Sequence, residues 1–193
     1  MKKYLRLAVM LVLVSCGGGE NRAPRNLDNA CSILDERPNY LRALRKSERQ
    51  WGVPVSVQMA SIYQESKFIS NAKTPHRFAL GIIPMGRQSS AYGYSQAIDG
   101  TWDDYREATG NRGARRNRFG DATDFMGWYM NQASGQLGIS PYDARNLYLA
   151  YHEGLTGYRR GSHNEKAWLL RVAANVGERA DLYERQLIAC GKN

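Results

Sequence analysis

The chain has 193 residues, of which 42% are hydrophobic and 23% charged, so its composition excludes a disordered polymer and fits one globular domain. The formal net charge of +9 predicts an anionic partner, and charge alone leaves nucleic acid, a membrane surface and an acidic polymer open. The three histidines and three cysteines lack metal-ligand spacing, so we predict no metal and no other cofactor.

The first predicted element is a secretory leader over residues 1–15. Three basic residues precede an almost wholly apolar stretch, which is too short to span a bilayer as a mature helix. The end of this stretch, Leu13–Cys16, resembles the lipoprotein box of bacteria. That resemblance implies cleavage before Cys16, acylation of Cys16 and a membrane anchor, and Gly17 indicates the outer membrane with the domain facing the periplasm. The alternative is a buried N-terminal helix with a chance cysteine.

A glycine-rich and polar segment follows the leader. We predict a lipidated, flexible tether over residues 16–30 and a single domain over residues 31–193. Export removes the basic leader and makes peptidoglycan, with its many carboxylates, a better expected partner than nucleic acid. Cys31 and Cys190 lie at the two ends of the domain, where an oxidising compartment favours a disulfide between them. Two separate buried thiols are the alternative.

Helical periodicity dominates the domain. Prolines at first turns and glycines after last turns predict helices over residues 38–50 and 54–66, the second with an apolar stripe that starts at Val55. Residues 67–92 contain several prolines and glycines, and we expect a long irregular loop there, with at most a small hairpin.

The second half of the domain is also predicted to be helical. Residues 111–120 form a loop with four arginines, which either meet stem-peptide carboxylates or form a solvated face. Ser140 is an expected N-cap, Pro141 follows it in the first turn, and Gly154 ends that helix. We therefore predict a mostly α, single-domain fold with at most a small β-hairpin. The further helices are predicted at residues 99–109, 122–136, 140–151, 164–174 and 178–189.

Glu65 is the candidate catalytic acid. It falls in the last turn of a predicted helix, where the negative end of the helix dipole and partial burial both raise the pKa of a carboxyl group. A carboxylic acid that stays protonated near neutral pH can protonate a glycosidic oxygen. The position alone leaves another interpretation open, a surface glutamate paired with arginine or lysine.

Three segments resemble, in the same order, the motifs of lytic transglycosylases with the soluble-transglycosylase (SLT) domain. Tyr63–Ser66 resembles the Glu-Ser motif, Gly93–Gln96 the Gly-Leu-Met-Gln type, and Ala150–Gly154 the Ala-Tyr-Asn-x-Gly type. The resemblance extends from about Trp51 to Gly157. It implies a lysozyme-like helical domain of the SLT or goose-type class, with peptidoglycan glycan strands as its substrate.

The resemblance also implies residue roles. Glu65 would act first as acid and then as base, cleaving the β-1,4 bond between N-acetylmuramic acid and N-acetylglucosamine and leaving a 1,6-anhydro sugar. Ser66 and Gln96 would bind the substrate. Tyr151 would hold the Glu65 carboxyl or shape its pocket.

Tyr94 and His152 depart from the usual motifs. Tyr94 would stack on a sugar face or belong to the core. His152 stands in place of asparagine, and it would contact substrate or have its hydrogen bonds satisfied within the protein at a helix end. Trp102, Tyr148 and Tyr158 are predicted to line a sugar groove or to be core.

The sequence contains no acidic residue in a recognisable pairing with Glu65. This fits attack by the substrate's own hydroxyl rather than by a protein carboxylate. Two alternatives remain, a hydrolytic muramidase resembling goose-type lysozymes and a non-catalytic, peptidoglycan-binding lipoprotein.

Overall fold

The structure is a computed structural model that describes residues 21–79 and 83–192. Within these ranges the chain forms seven helices and one antiparallel hairpin, which confirms the predicted mostly α fold. The predicted leader and the lipidation site Cys16 lie outside the described residues. The elements are α1 (Ala30–Glu36), α2 (Pro38–Trp51), α3 (Val55–Ser66), β1 (His76–Ala79), β2 (Ile83–Arg87), α4 (Asp99–Thr109), α5 (Phe119–Leu137), α6 (Ala144–Arg159) and α7 (Ala167–Ala189). None of the described helices combines the length and apolarity needed to cross a membrane.

Helix α3 lies at the centre of the domain and packs against α2, α5, α6 and α7. Residues 55–62 are all buried, so the predicted apolar stripe is confirmed but burial extends around the whole helix. Its polar side chains bond to the backbone: Gln58 Nε2 donates to the Val53 carbonyl at 2.8 Å, and Ser61 Oγ donates to the Val57 carbonyl at 3.0 Å. The core therefore fixes α3 on all sides and presents its C-terminal end to the surface.

Helices α2 and α5 pack closely because α5 has a glycine at their contact. A β-carbon at Gly127 would lie 2.3 Å from Ser47 Oγ and 2.7 Å from Trp51 Cδ1. Ser47 Oγ donates to the Thr123 carbonyl at 2.8 Å, and Trp51 Nε1 donates to Asp124 at 2.9 Å. The hydrogen bonds therefore hold both neighbours of Gly127 in place.

We expect Gly127→Ala to lower the free energy of unfolding by about 1–3 kcal/mol, because the new methyl group overpacks the contact between α2 and α5. The measurement is urea unfolding followed by circular dichroism. Gly135→Ala in the same helix is the matched control, since its β-carbon would meet open space. It should be stabilising by about 0.5–1 kcal/mol. Equal unfolding midpoints for the two variants would contradict the prediction.

The start of α6 differs from the prediction. Ser140 does not cap it; the N-cap is Asp143, whose carboxylate accepts a hydrogen bond from the Asn146 amide at 3.0 Å. Residues 140–143 form a turn instead. At Gly154 the backbone takes φ 75° and ψ 156°, which is accessible essentially to glycine alone, and the chain then returns to helix. The predicted end of the helix is therefore a kink inside it.

Helix α7 is one helix where two were predicted, over residues 164–174 and 178–189. Gly177 lies in its interior, where the propensity of glycine is unfavourable. Packing outweighs this preference, because an uninterrupted stripe of buried residues runs along the helix on both sides of Gly177. The stripe consists of Leu169, Ala173, Val176, Ala180, Tyr183 and Leu187.

The segment before α1 is bound to the domain. The Leu27 carbonyl accepts a hydrogen bond from the Tyr183 hydroxyl at 2.5 Å, and the Asp28 carbonyl accepts one from Gln186 Nε2 at 2.9 Å. Leu27 and Asp28 thus lie against α7, while Asn21, at the start of the segment, bonds to Ser70. The last residues of the predicted tether over residues 16–30 therefore have partners on the domain.

Helix α1 was not expected from the sequence. The Asn29 side chain caps it by accepting from the Ser32 amide at 2.8 Å. Cys31 in this helix forms a disulfide with Cys190, directly after α7, over a separation of 159 residues. The predicted bridge is confirmed, and it ties the two ends of the domain together.

Candidate active site

A groove with a volume of about 590 Å³ opens beside the C-terminal end of α3. The end of α3, the segment between β2 and α4, and the middles of α5 and α6 form its walls. Glu65, Gln96, Tyr151 and His152 all line it. A second cavity, of about 410 Å³ between α2 and the start of α5, is lined by other residues. The groove is therefore where the structure brings these four predicted site residues together.

Glu65 is partly buried in the last turn of α3. Burial raises the pKa of this carboxyl group from 4.5 to about 7, against the opposing effects of a hydrogen bond from Tyr148 and the charge of Lys67. The Tyr148 hydroxyl is the donor of that bond. Near neutral pH both the acid and the carboxylate are populated, so this group can give up a proton and take one back.

The backbone around Glu65 is strained. Lys67 ends α3 in the left-handed conformation with φ 52°, and Phe68 follows with φ 60°. Gln96 has φ 51°, and in the described part of the chain these three are the non-glycine residues with positive φ. Phe68 is fully buried and stacks near Tyr40, so packing supports the unfavourable turn. Such strain concentrates at functional sites.

Ser66 does not reach the groove. Its side chain is buried, and its hydroxyl donates to the Tyr94 carbonyl at 2.8 Å. Because this proton is used within the protein, Ser66 joins the first predicted motif to the second. The predicted contact between Ser66 and substrate is replaced by this structural bond.

Tyr94 belongs to the core, which was one of its two expected places. It is fully buried, its hydroxyl lies 2.9 Å from that of Tyr40, and its ring meets Phe119 edge-on with centroids 5.1 Å apart. Stacking on a sugar is excluded because none of the ring is exposed. Gly93 before it has φ 78°, and a β-carbon there would lie 2.2 Å from the Arg116 carbonyl oxygen.

Gln96 lines the groove at the turn that follows Tyr94. Its side-chain nitrogen donates to the Gly93 carbonyl at 2.8 Å and to the Ala72 carbonyl at 3.1 Å. These bonds orient the amide, and they leave its oxygen as the atom that can accept a hydrogen bond from a ligand. The structure thus places Gln96 where the resemblance predicted a substrate contact.

Arg116 is a residue whose role the sequence did not reveal. Its guanidinium donates to the carbonyls of Ser90 and Ala97, at 3.0 and 2.8 Å, and forms an ion pair with Asp99 at 2.7 Å. It therefore clamps the segment that carries Gln96. The arginine-rich loop had been expected to meet stem peptides or solvent, and at this position it instead supports the groove.

Tyr151 shapes the groove without bonding to Glu65. Its hydroxyl donates to the Ser95 carbonyl at 2.5 Å, and burial, followed by the nearby charge of Glu65, raises its pKa well above 10. The tyrosine that lowers the pKa of Glu65 through a side-chain hydrogen bond is Tyr148, one helical turn earlier. Of the two roles expected for Tyr151, the structure supports the shaping of the pocket.

His152 lines the groove with its side chain 36% exposed. Its Nδ1 lies 3.1 Å from Glu153 Oε1, and its ring meets Trp168 edge-on with centroids 5.2 Å apart. His152 thus combines both expected places: its ring nitrogen has a hydrogen-bond partner near the helix kink, and its side chain is exposed in the groove.

Glu153 is the other carboxylate that lines the groove. Both of its oxygens lie 2.8 Å from Lys166 Nζ, and one accepts a bond from Ser162 Oγ at 2.5 Å. The bonds from Lys166 and Ser162 lower its pKa to about 2, against the effect of burial. Both oxygens of this ionised carboxylate already accept hydrogen bonds within the protein. Glu153 is therefore not placed to act beside Glu65 as a free base or nucleophile.

The described ranges contain no group of three His, Cys, Asp or Glu side chains arranged to hold a metal ion. Among the side chains that line the groove, Glu65 is the group suited to proton transfer.

Comparison with known proteins identifies the family. The chain matches the family described as "Transglycosylase SLT domain" over residues 4–190, and a search of curated proteins finds no match. The matched region includes all three predicted motifs and the whole groove. On this evidence, which confirms the resemblance seen in the motifs, the chain belongs to the transglycosylase SLT domain family.

Proposed function

We propose that this protein is a lytic transglycosylase that cleaves the β-1,4 bond between N-acetylmuramic acid and N-acetylglucosamine and leaves 1,6-anhydro ends. The family acts on peptidoglycan with transglycosylase or lysozyme-like chemistry. The observation that carries the finer proposal is Glu65, a carboxylic acid with a pKa of about 7 that lines an open groove. A group with this pKa can serve as an acid and then as a base at the pH of the periplasm.

The proposed reaction uses one protein carboxyl group twice. Protonated Glu65 gives its proton to the bridging oxygen as the bond from C1 of the muramic sugar to that oxygen breaks. The Glu65 carboxylate then takes the proton from the 6-hydroxyl of the same sugar, whose oxygen forms a new bond to C1. No water is consumed, and Glu65 ends protonated as it began.

The state of Glu153 supports this route over one with two carboxylates. Its oxygens are bonded to Lys166 and Ser162, whereas a two-carboxylate glycosidase needs a free second group at a set separation. Attack by the 6-hydroxyl needs no protein nucleophile, because that hydroxyl is already joined to the reacting ring and has a high effective concentration.

Product analysis tests the proposal. Mass spectrometry of purified sacculi digested by the protein should show anhydro-muropeptides, which are lighter by one water than the products of hydrolysis. Reducing muramic ends without any anhydro product would establish the hydrolytic muramidase instead. Binding of sacculi without any soluble product would establish the non-catalytic lipoprotein.

The hydrogen bond from Tyr148 to Glu65 leads to a prediction about pH. This bond lowers the pKa of Glu65, so its removal in Tyr148→Phe should raise that pKa further. Because the first step needs protonated Glu65, the alkaline limb of the rate of sacculus digestion should move to higher pH. Tyr158→Phe is the matched control, since that hydroxyl, on the same helix, donates to Asn146. An alkaline limb that stays in place or moves to lower pH would contradict the assignment.

We further propose that Cys16 is acylated and anchors the domain at the periplasmic face of the outer membrane. The contact between Ser70 Oγ and Asn21 Oδ1, at 2.6 Å, fixes the start of the described chain. The span from Cys16 to Asn21 is at most about 18 Å, so the anchor would hold the domain close to the membrane. Detection of acylated Cys16 in outer-membrane fractions, and release of Cys16→Ala from the membrane, test this.

A further inference from the structure

Trp168 is the most exposed of the tryptophans in the described chain. Its side chain stands at the start of α7 and the residue is 50% exposed, whereas Trp51, Trp102 and Trp128 are partly or fully buried. A single exposed apolar residue is common on protein surfaces and indicates nothing by itself. The position of Trp168 relative to the groove is what distinguishes it.

The indole of Trp168 continues the wall of the groove. It contacts the ring of His152 edge-on, with centroids 5.2 Å apart, and His152 lines the same groove as Glu65. The wall formed by the middle of α6 therefore extends past His152 to an exposed aromatic surface. A glycan strand that lies in the groove and passes His152 would meet this surface next.

A network of polar bonds links His152 to the start of α7, the helix that carries Trp168. Glu153 accepts bonds from Lys166 at 2.8 Å and lies 3.1 Å from His152 Nδ1, and its side chain is only 4% exposed. Lys166 is the N-cap residue of α7, two positions before Trp168. Glu153 thus ties the groove wall to the start of α7. A surface that is fixed before binding loses less conformational freedom when a ligand arrives.

We propose that Trp168 is a stacking surface for a sugar ring of the glycan strand, outside the position where the bond is cleaved. The faces of a β-1,4-linked N-acetylated pyranose are rich in C–H groups, which pack against an aromatic ring, while its hydroxyl and acetamido groups point to the edges. Tryptophan offers the largest such surface together with one N–H donor at its rim. This subsite rests on the proposed function, since it assumes that the groove holds a glycan.

Binding to a catalytically inactive protein tests the subsite. In the Glu65→Gln background, titration with a β-1,4-linked N-acetylglucosamine hexamer should change the tryptophan fluorescence and give a Kd. Adding Trp168→Ala should weaken binding about tenfold, the size of one lost aromatic contact, and should remove most of the fluorescence change. Trp168→Phe should restore most of the affinity. Tyr142→Ala is the control, because Tyr142 is 77% exposed but does not line the groove.

The outcomes separate the subsite from the proposed function. An unchanged Kd in Trp168→Ala, or a fluorescence change that persists undiminished, overturns the subsite. A wild-type protein that leaves sacculi uncut while Trp168→Ala still weakens hexamer binding overturns the function and supports the subsite. If the parent variant binds neither the hexamer nor sacculi, the subsite is overturned as well, because the groove then holds no glycan.

Discussion

Glu65→Gln is expected to lower the rate of sacculus digestion by about a thousandfold or more, since a positioned acid and base contributes typically 10²–10⁴-fold and here one group would do both. Glutamine keeps the size of the side chain, and its amide oxygen can still accept the hydrogen bond from Tyr148. The fold and the binding of sacculi should therefore be retained. The measurement is the release of soluble muropeptides, with binding followed by co-sedimentation.

The same substitution should change stability in a pH-dependent way. Below pH 4.5 the carboxyl is protonated in both the unfolded and the folded protein, and it has no effect on stability. Between pH 4.5 and 7 the unfolded chain loses this proton first, and above pH 7 the folded protein must hold a partly buried carboxylate. That cost is about 3 kcal/mol, so the variant should be more stable than wild type by about this amount at pH 8 and similar to it at pH 4.

Glu165→Gln is the matched control for both measurements, because Glu165 is exposed. It should digest sacculi at the wild-type rate and show no gain in stability at pH 8. Undiminished digestion by Glu65→Gln would remove Glu65 as the acid. Equal stabilities of Glu65→Gln and wild type at pH 8 would show that burial does not raise the pKa of this group.

Local signals predicted the helices whose ends depend on local chemistry. Helix α2 begins at Pro38 and ends before Gly52, and α4 ends before Gly110, where a left-handed residue stops the helix as expected. The prediction of two helices over residues 164–174 and 178–189 was wrong, because burial along α7 outweighs the unfavourable propensity of Gly177 in its interior. Local patterns therefore predict an element well only where tertiary packing does not oppose them.

The candidate site divides in the same way. Glu65 and Gln96 could be placed at the groove from motifs, since each motif describes a local turn. The tyrosine that interacts with the Glu65 carboxyl could not be predicted from the sequence. Tyr148 and Tyr151 are one turn apart on α6, and periodicity does not say which hydroxyl reaches Glu65. The bond from Ser66 to the Tyr94 carbonyl joins residues 28 positions apart, and only the folded chain shows that it uses the serine hydroxyl.

Removal of the disulfide should have the largest effect on stability. We expect the double substitution Cys31→Ser and Cys190→Ser to lower the free energy of unfolding by about 3–5 kcal/mol, because the bridge closes a long loop and restricts the unfolded chain. Urea unfolding of the double variant beside oxidised wild type is the measurement. Wild type reduced with dithiothreitol should lose as much stability as the double variant.

Activity should respond differently from stability. Neither cysteine lines the groove, so the double variant should digest sacculi at close to the wild-type rate under conditions in which it stays folded. What the bridge holds is α1, a helix of only seven residues that is too short to be stable alone. The Ala30 amide donates a hydrogen bond to Gln186 Oε1 at 2.8 Å, and this bond holds the same helix to α7. Equal urea midpoints for the oxidised wild type and the double variant would show that such hydrogen bonds suffice, and that the unfolded chain gains little freedom when the bridge is absent.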